Sequence, residues 1–234
     1  MEYLEYLLLA YFLLTPIYVY FTFEKEKQKV LENPALKIKL YHSTLISLWL
    51  PTLFLIALYY LNVIDSANMN LFGEWNINSQ ITWGVCAIIL IYFTISSGKI
   101  KADINQHKDM IEQFEPLEWL VPKTKKERNY FIFAISVSAG ICEELLFRGY
   151  LFNFLTQHMS VWLAMVVSSI AFGLPHIYQG AVQMIKTAFL GMMLVTVYWY
   201  SDSLMIAILL HIAIDMYAGS VAYIVLNRNT EVQN

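Results

Sequence analysis

Two adjacent carboxylates, Glu143 and Glu144, stand in the apolar run Ala139-Gly140-Ile141-Cys142-Glu143-Glu144-Leu145-Leu146-Phe147-Arg148-Gly149-Tyr150. In hydrocarbon each such charge costs ~2.5 kcal/mol or much more. Three charged side chains within six positions therefore mark a functional site. On a helix Glu144 and Arg148 are four apart and face each other, so they form an ion pair. One carboxylate is enough for a buried Arg, which leaves Glu143 without an assigned partner. A carboxyl group out of water and beside another carboxylate holds its proton more tightly, as a general base or acid requires. Glu143 is thus the candidate base, and Glu144 the supporting carboxylate.

Two further apolar stretches carry complementary groups. His176 follows Phe172 at the end of one, and His211 and Asp215 lie four apart in the next. On one helical face the Asp215 carboxylate is placed to orient the His211 imidazole. A lone histidine after a helix is usually just a satisfied polar residue. Convergence of acid–base side chains from three separate helices shifts the reading towards chemistry. His42, His107 and His158 fall in polar connections, and Lys186 at a helix end can snorkel.

The elements that position these residues are read from hydropathy. The chain has 234 residues, 58% hydrophobic and 14% charged, with a mean hydropathy of +0.52. Soluble domains run nearer ~25% charged, so this is an all-α, polytopic transmembrane helix bundle. A net charge of −3 gives no reason to expect nucleic acid. Cys86 and Cys142 both fall in apolar spans and read as buried thiols. The amino-terminal residues lack a basic stretch before the first apolar segment and a small-residue cleavage site, so that segment is expected to remain in the mature protein.

Spans of ~20 apolar residues are expected at about 3–23, 44–64, 81–97, 129–156, 161–174, 182–200 and 203–226. Pro16 is expected to kink the first, and the fifth to stop at Pro175-His176. The polar connection 98–128 holds a short interfacial helix around Met110 to Leu120. Residues 1–128 form an amino-terminal part with three spans and a basic connection. Residues 129–226 carry the chemistry, and 227–234 are a tail. Basic residues alternate cleanly. Lys25, Lys27, Lys29, Lys37 and Lys39 follow span one, and Lys99, Lys101, Lys108, Lys123, Lys125, Lys126 and Arg128 follow span three. Lys186 and Arg228 follow spans five and seven, whereas the intervening connections have neither Lys nor Arg. The positive-inside rule puts the amino terminus outside and the carboxy terminus in the cytoplasm. Tyr18, Tyr20, Trp83, Trp119, Tyr198 and Trp199 cluster near span ends as interfacial anchors. By depth, His176 comes out nearer the cytoplasmic face than Glu143; tilt, a cavity or a break at Pro175 would bring them together.

Glu143-Glu144-x-x-x-Arg148, Phe172-x-x-x-His176 and His211-x-x-x-Asp215, in that order on successive apolar helices, resemble the CAAX protease and bacteriocin-processing (CPBP, or Abi) family. That family includes the Ras-converting CAAX endopeptidases. The resemblance covers about 129–226, and spans one to three match nothing recognisable. It implies an intramembrane endopeptidase in which Glu143 and His176 activate a water, while His211 with residue 215 stabilises the oxyanion. The last position is often Asn in the family; an ionised Asp215 cannot donate a hydrogen bond, which puts that role in doubt. Family members are described both as metalloproteases and as glutamate proteases. Glu143, His176, His211 and Asp215 are acceptable zinc ligands by type, but there is no His-Glu-x-x-His pair, and metal-free water activation is favoured.

Two rival classes remain in view. One is a non-catalytic family member serving bacteriocin self-immunity or regulation, which would not need a desolvated glutamate pair. The other is an ion-coupled transporter, against which stand the small size and the absence of repeated halves. Lys outnumbers Arg twelve to three, which suggests an AT-rich bacterial genome and the bacterial cytoplasmic membrane. Bacteria generally lack prenylated CAAX proteins, so a peptide or membrane-protein precursor is the expected substrate.

Overall fold

The computed structural model describes residues 2–64, 69–102 and 108–232. Its helices are α1 (Glu2–Glu32), α2 (Leu36–Tyr60), α3 (Ile77–Ala102), the short α4 (Lys108–Phe114), α5 (Lys125–Thr156), α6 (Val161–Gly173), α7 (Ala181–Ser201) and α8 (Leu204–Val232). Seven of these, all but α4, are long and apolar enough to cross a membrane, α6 together with the turn that follows it. No strand occurs among the described residues. His107 and residues 65–68 lie outside the described residues.

Several boundaries differ from the hydropathy reading, each for a physical reason. Helix α1 does not end at Phe23. The Glu24-Lys25-Glu26-Lys27 run consists of good helix formers, and its side chains pair along the helix: Gln28 to Glu24 at 3.1 Å, Lys29 to Glu26 at 2.5 Å. Helix α2 starts at Leu36, so Lys37, Lys39 and His42 are helical and not part of a connection. His42 packs its ring against Tyr130. Lys37 is buried because it has partners. Its Nζ donates to the carbonyls of Glu118 (3.0 Å) and Val121 (2.9 Å) and pairs with Glu127 at 3.6 Å. Helix α6 ends at Gly173, close to the expected stop, but a 3₁₀ turn over Leu174–Gln179 carries the chain on through Pro175 and His176. The interfacial helix appears as α4 with a 3₁₀ turn at Glu115–Leu117. Cys86 and Cys142 are free and buried.

The most enclosed spans are α5 and α8, which carry the carboxylates and His211, as the cost of a charge in lipid demands. Helix α8 packs against α3, α5 and α7, α6 pairs with α7, and α1 lies on α2 and on the 3₁₀ turn. Leu13, Leu14, Ile17, Leu53, Ile88, Ile91 and Phe189 face outwards, as lipid-facing residues do. Alternate connections meet at opposite ends. At one end Lys37 and Tyr41 bind the carbonyls of 118–121. At the other, Asn70 donates to Asp202 (2.6 Å), and the amides of Leu204 and Met205 bond the carbonyls of Asn70 and Leu71. The basic connections thus share one end of the bundle.

Candidate active site

Helix α5 is not uniformly α-helical. It passes through π-helical turns at Phe131–Ile135 and Leu145–Phe152, the second starting directly after Glu144. Such turns are frequent at functional sites because they rotate side chains and loosen the backbone ladder. The carbonyls of Arg148 and Gly149 are taken up by Asn153 Nδ2 at 3.2 and 3.1 Å, and Tyr59 also donates to Gly149. The irregular backbone is therefore compensated locally.

Two glycines set the helix spacing. A Cβ at Gly140 would stand 3.0 Å from the Ile212 amide nitrogen and 3.2 Å from the Ile208 carbonyl. Only glycine lets α8 approach α5 this closely, one turn from the glutamates. Gly191 on α7 lies 3.3 Å, by the same construction, from Ser169 of α6. Its carbonyl accepts from Arg148 Nη2 at 2.9 Å.

The consequence is a shared carboxylate. Glu144 Oε1 accepts from Arg148 Nη1 at 2.8 Å and from His211 Nδ1 at 2.8 Å, with all three side chains buried. The ion pair expected from the i,i+4 spacing is present. The imidazole, however, is oriented by Glu144 and not by Asp215, whose Oδ2 is 3.7 Å from His211 Nε2 and beyond hydrogen-bond reach. A residue on α8 one turn after His211 reaches only the far side of the ring, whereas the close α5–α8 crossing brings Glu144 to Nδ1. Since a carboxylate only accepts, Nδ1 carries a proton and Nε2 faces Glu143, at 3.8 Å from Oε2.

His176 arrives on the 3₁₀ turn. Its Nδ1 lies 3.0 Å from the Phe172 carbonyl, which fixes the proton there and leaves Nε2 as an acceptor. His176 and Glu143 line one narrow cavity of about 50 Å³, enough for a water molecule. The depth mismatch between them is thus closed by the turn and the cavity. Phe172 is the packing centre: its ring holds the Arg148 guanidinium at 4.4 Å and contacts His176 and His211 at 5.6 and 5.8 Å. Three features escaped the sequence reading. Tyr178 stacks on His176 and abuts Trp119 of the 98–128 connection. The Gly191 carbonyl is invisible by residue type. Tyr11 and Thr15 of α1 line the same cavity as Glu143, and nothing in their spacing marks them.

The Nδ1 atoms of both histidines are engaged, by Glu144 and by the Phe172 carbonyl. Among the described residues neither Nε2 has a hydrogen-bond partner, and no three His, Cys, Asp or Glu side chains converge to hold an ion.

No curated protein and no solved structure matches the chain. Residues 126–217 match the family described as type II CAAX prenyl endopeptidase Rce1-like. That segment contains Glu143, Glu144, Arg148, Phe172, His176, His211 and Asp215, so the part of this integral membrane chain that holds the clustered acid–base residues is similar to the Rce1-like CAAX-protease family.

Proposed function

We propose that the chain is an intramembrane endopeptidase that hydrolyses a peptide or membrane-associated precursor at the Glu143–His176 cavity. The similarity of residues 126–217 to the type II CAAX prenyl endopeptidase family supports CAAX-type protease activity. The observation that carries the mechanism is the division of labour between the glutamates: Glu144 Oε1 is held by Arg148 and His211, whereas Glu143 borders a water-sized cavity beside His176.

In this reading a water lies between Glu143 and His176 Nε2, both acceptors. Glu143 takes one proton as the water oxygen adds to the scissile carbonyl carbon, and the carbonyl electron pair moves onto its oxygen. As imidazolium, His211 donates Nδ1–H to Glu144 and Nε2–H to that oxyanion. Collapse re-forms the carbonyl, breaks the C–N bond and delivers the proton from Glu143 to the leaving amine. Asp215, acceptor-only when ionised, stands 3.7 Å from His211 Nε2 and does not donate. Residues 129–226 are the catalytic helices. The basic end of the bundle lies in the cytoplasm of a bacterial cell, so the amino terminus is outside.

Comparative peptidomics of cells carrying the native protein or Glu143→Gln tests this. Peptides that disappear with Glu143→Gln are the expected result. Identical profiles would replace the protease with a binding or regulatory membrane protein.

A further inference from the structure

The proposed reaction lacks a second oxyanion donor. Position 215, where the family motif often has an amide, carries a carboxylate, and one imidazolium N–H is a thin oxyanion hole for amide hydrolysis. The cavity that Glu143 and His176 share has a wall from outside the family-matched segment. Tyr11, Phe12 and Thr15 of α1 line it.

Phe12 fixes that wall. It is buried and packs edge-on to Phe147 at 5.1 Å and parallel to Tyr150 at 6.1 Å, both on α5. Helix α1 also lies against the 3₁₀ turn that carries His176. The neighbouring Tyr11 is consequently held on the cavity side. Thr22, Thr52 and Thr94 each return their hydroxyl to the carbonyl four residues earlier. Thr15, one helical turn from Tyr11, faces the same cavity. A Thr15 hydroxyl donated to the phenolic oxygen leaves the phenol's own proton free for a substrate. Apart from Glu143 and His176, the cavity lining contains only these two polar side chains.

We propose that Tyr11 is a catalytic residue, donating its O–H to the oxyanion opposite His211, and that Thr15 is a positioning residue that orients it. This rests on the protease reading. The phenol's proton is shared in a hydrogen bond and never transferred: the water proton still passes through Glu143 to the leaving amine. The amino-terminal helix, absent from the matched segment, thereby completes the site.

The test quantifies, at matched membrane levels, the initial accumulation of the peptides that vanish with Glu143→Gln. Tyr11→Phe keeps the ring and should slow their release ~10²–10³-fold, the usual loss for one oxyanion donor. Thr15→Val should slow it about tenfold, for a phenol left unoriented. Capture of the uncleaved precursor measures ground-state binding. It should be equal for Glu143→Gln and for Glu143→Gln combined with Tyr11→Phe, because the hydroxyl acts in the transition state. Release by Tyr11→Phe within threefold of native, with Glu143→Gln inactive, overturns this inference alone. Loss of precursor capture, or a fall in melting temperature that tracks the rate in both α1 variants, overturns it by making the hydroxyls structural. Unchanged release by Glu143→Gln overturns the protease reading and this inference with it.

Discussion

Glu144→Gln and Glu143→Gln, chemically the same change one residue apart, should fail in different ways. Glu144 Oε1 compensates a guanidinium that is 2% exposed and also receives His211 Nδ1. An amide oxygen in that place still accepts, but the counter-charge is gone. The new NH₂ group falls where Oε2 is buried with no hydrogen-bond partner among the described residues. Breaking a buried pair from one side costs ~3–5 kcal/mol. In a chain of this size each kcal/mol moves the melting temperature by ~2–4 °C, so Glu144→Gln should melt roughly 6–20 °C lower in detergent. Glu143 Oε2 stands 3.8 Å from its nearest charged partner and its side chain is 18% exposed. Glu143→Gln should melt within ~3 °C of native and lose ~10²–10⁴ in rate, as a missing general base does. Arg148→Ala should share the folding defect, and Arg148→Met combined with Glu144→Gln should recover part of it by removing both charges. Thermal unfolding of purified protein, paired with peptide release, separates the cases. An unstable Glu143→Gln alongside a well-folded, inactive Glu144→Gln would show that the two carboxylates have been assigned backwards. Retained activity in both would refute the mechanism.

Gly140→Val should drive α8 away from α5 and part His211 from Glu144; overpacking of this kind costs ~1–3 kcal/mol, so a lower melting temperature with lost activity is expected, and native values would show that the close crossing is dispensable. Reporter fusions after Ser66 and after Lys108 should report opposite sides of the membrane, and the same side for both would refute the topology. Activity should survive thorough chelation, because the spacing of the acid–base residues contains no His-Glu-x-x-His zinc signature; loss on chelation with recovery on adding zinc would reassign Glu143, His176, His211 and Asp215 as ligands.

The number and order of the spans were legible because each is a run of apolar residues, a property of composition. Their ends were less so. The Glu/Lys run after Phe23 reads as a helix stop by hydropathy yet continues the helix through its own side-chain pairs, and Lys37 reads as solvated until its backbone partners from 118–121 are seen. In the site, the Glu144–Arg148 pair was legible because both members share one helix and i,i+4 geometry is local. The Glu144–His211 bond was not: its members are 67 positions apart, and it depends on the crossing that Gly140 permits. The roles of Tyr11 and Thr15 were illegible for the same reason, since only packing brings α1 to the cavity.

The pairing of Glu144 with Arg148 inside a single helix bears on how the chain is made. Synthesis runs from the amino terminus, so α5 must enter the bilayer before α8 and His211 exist. A lone carboxylate and a lone guanidinium would each burden insertion by ~2.5–3.5 kcal/mol at the helix centre. Four residues apart, they neutralise one another as soon as that turn of helix forms, and α5 leaves the translocon with this pair already matched. The bond to His211 is then added to an acceptor that is already in place. The nascent chain can hold the Glu144–Arg148 pair from the fifth helix onwards, but His211 arrives only with the last. The Glu144–Arg148–His211 cluster is therefore complete only once every helix that surrounds it has been inserted.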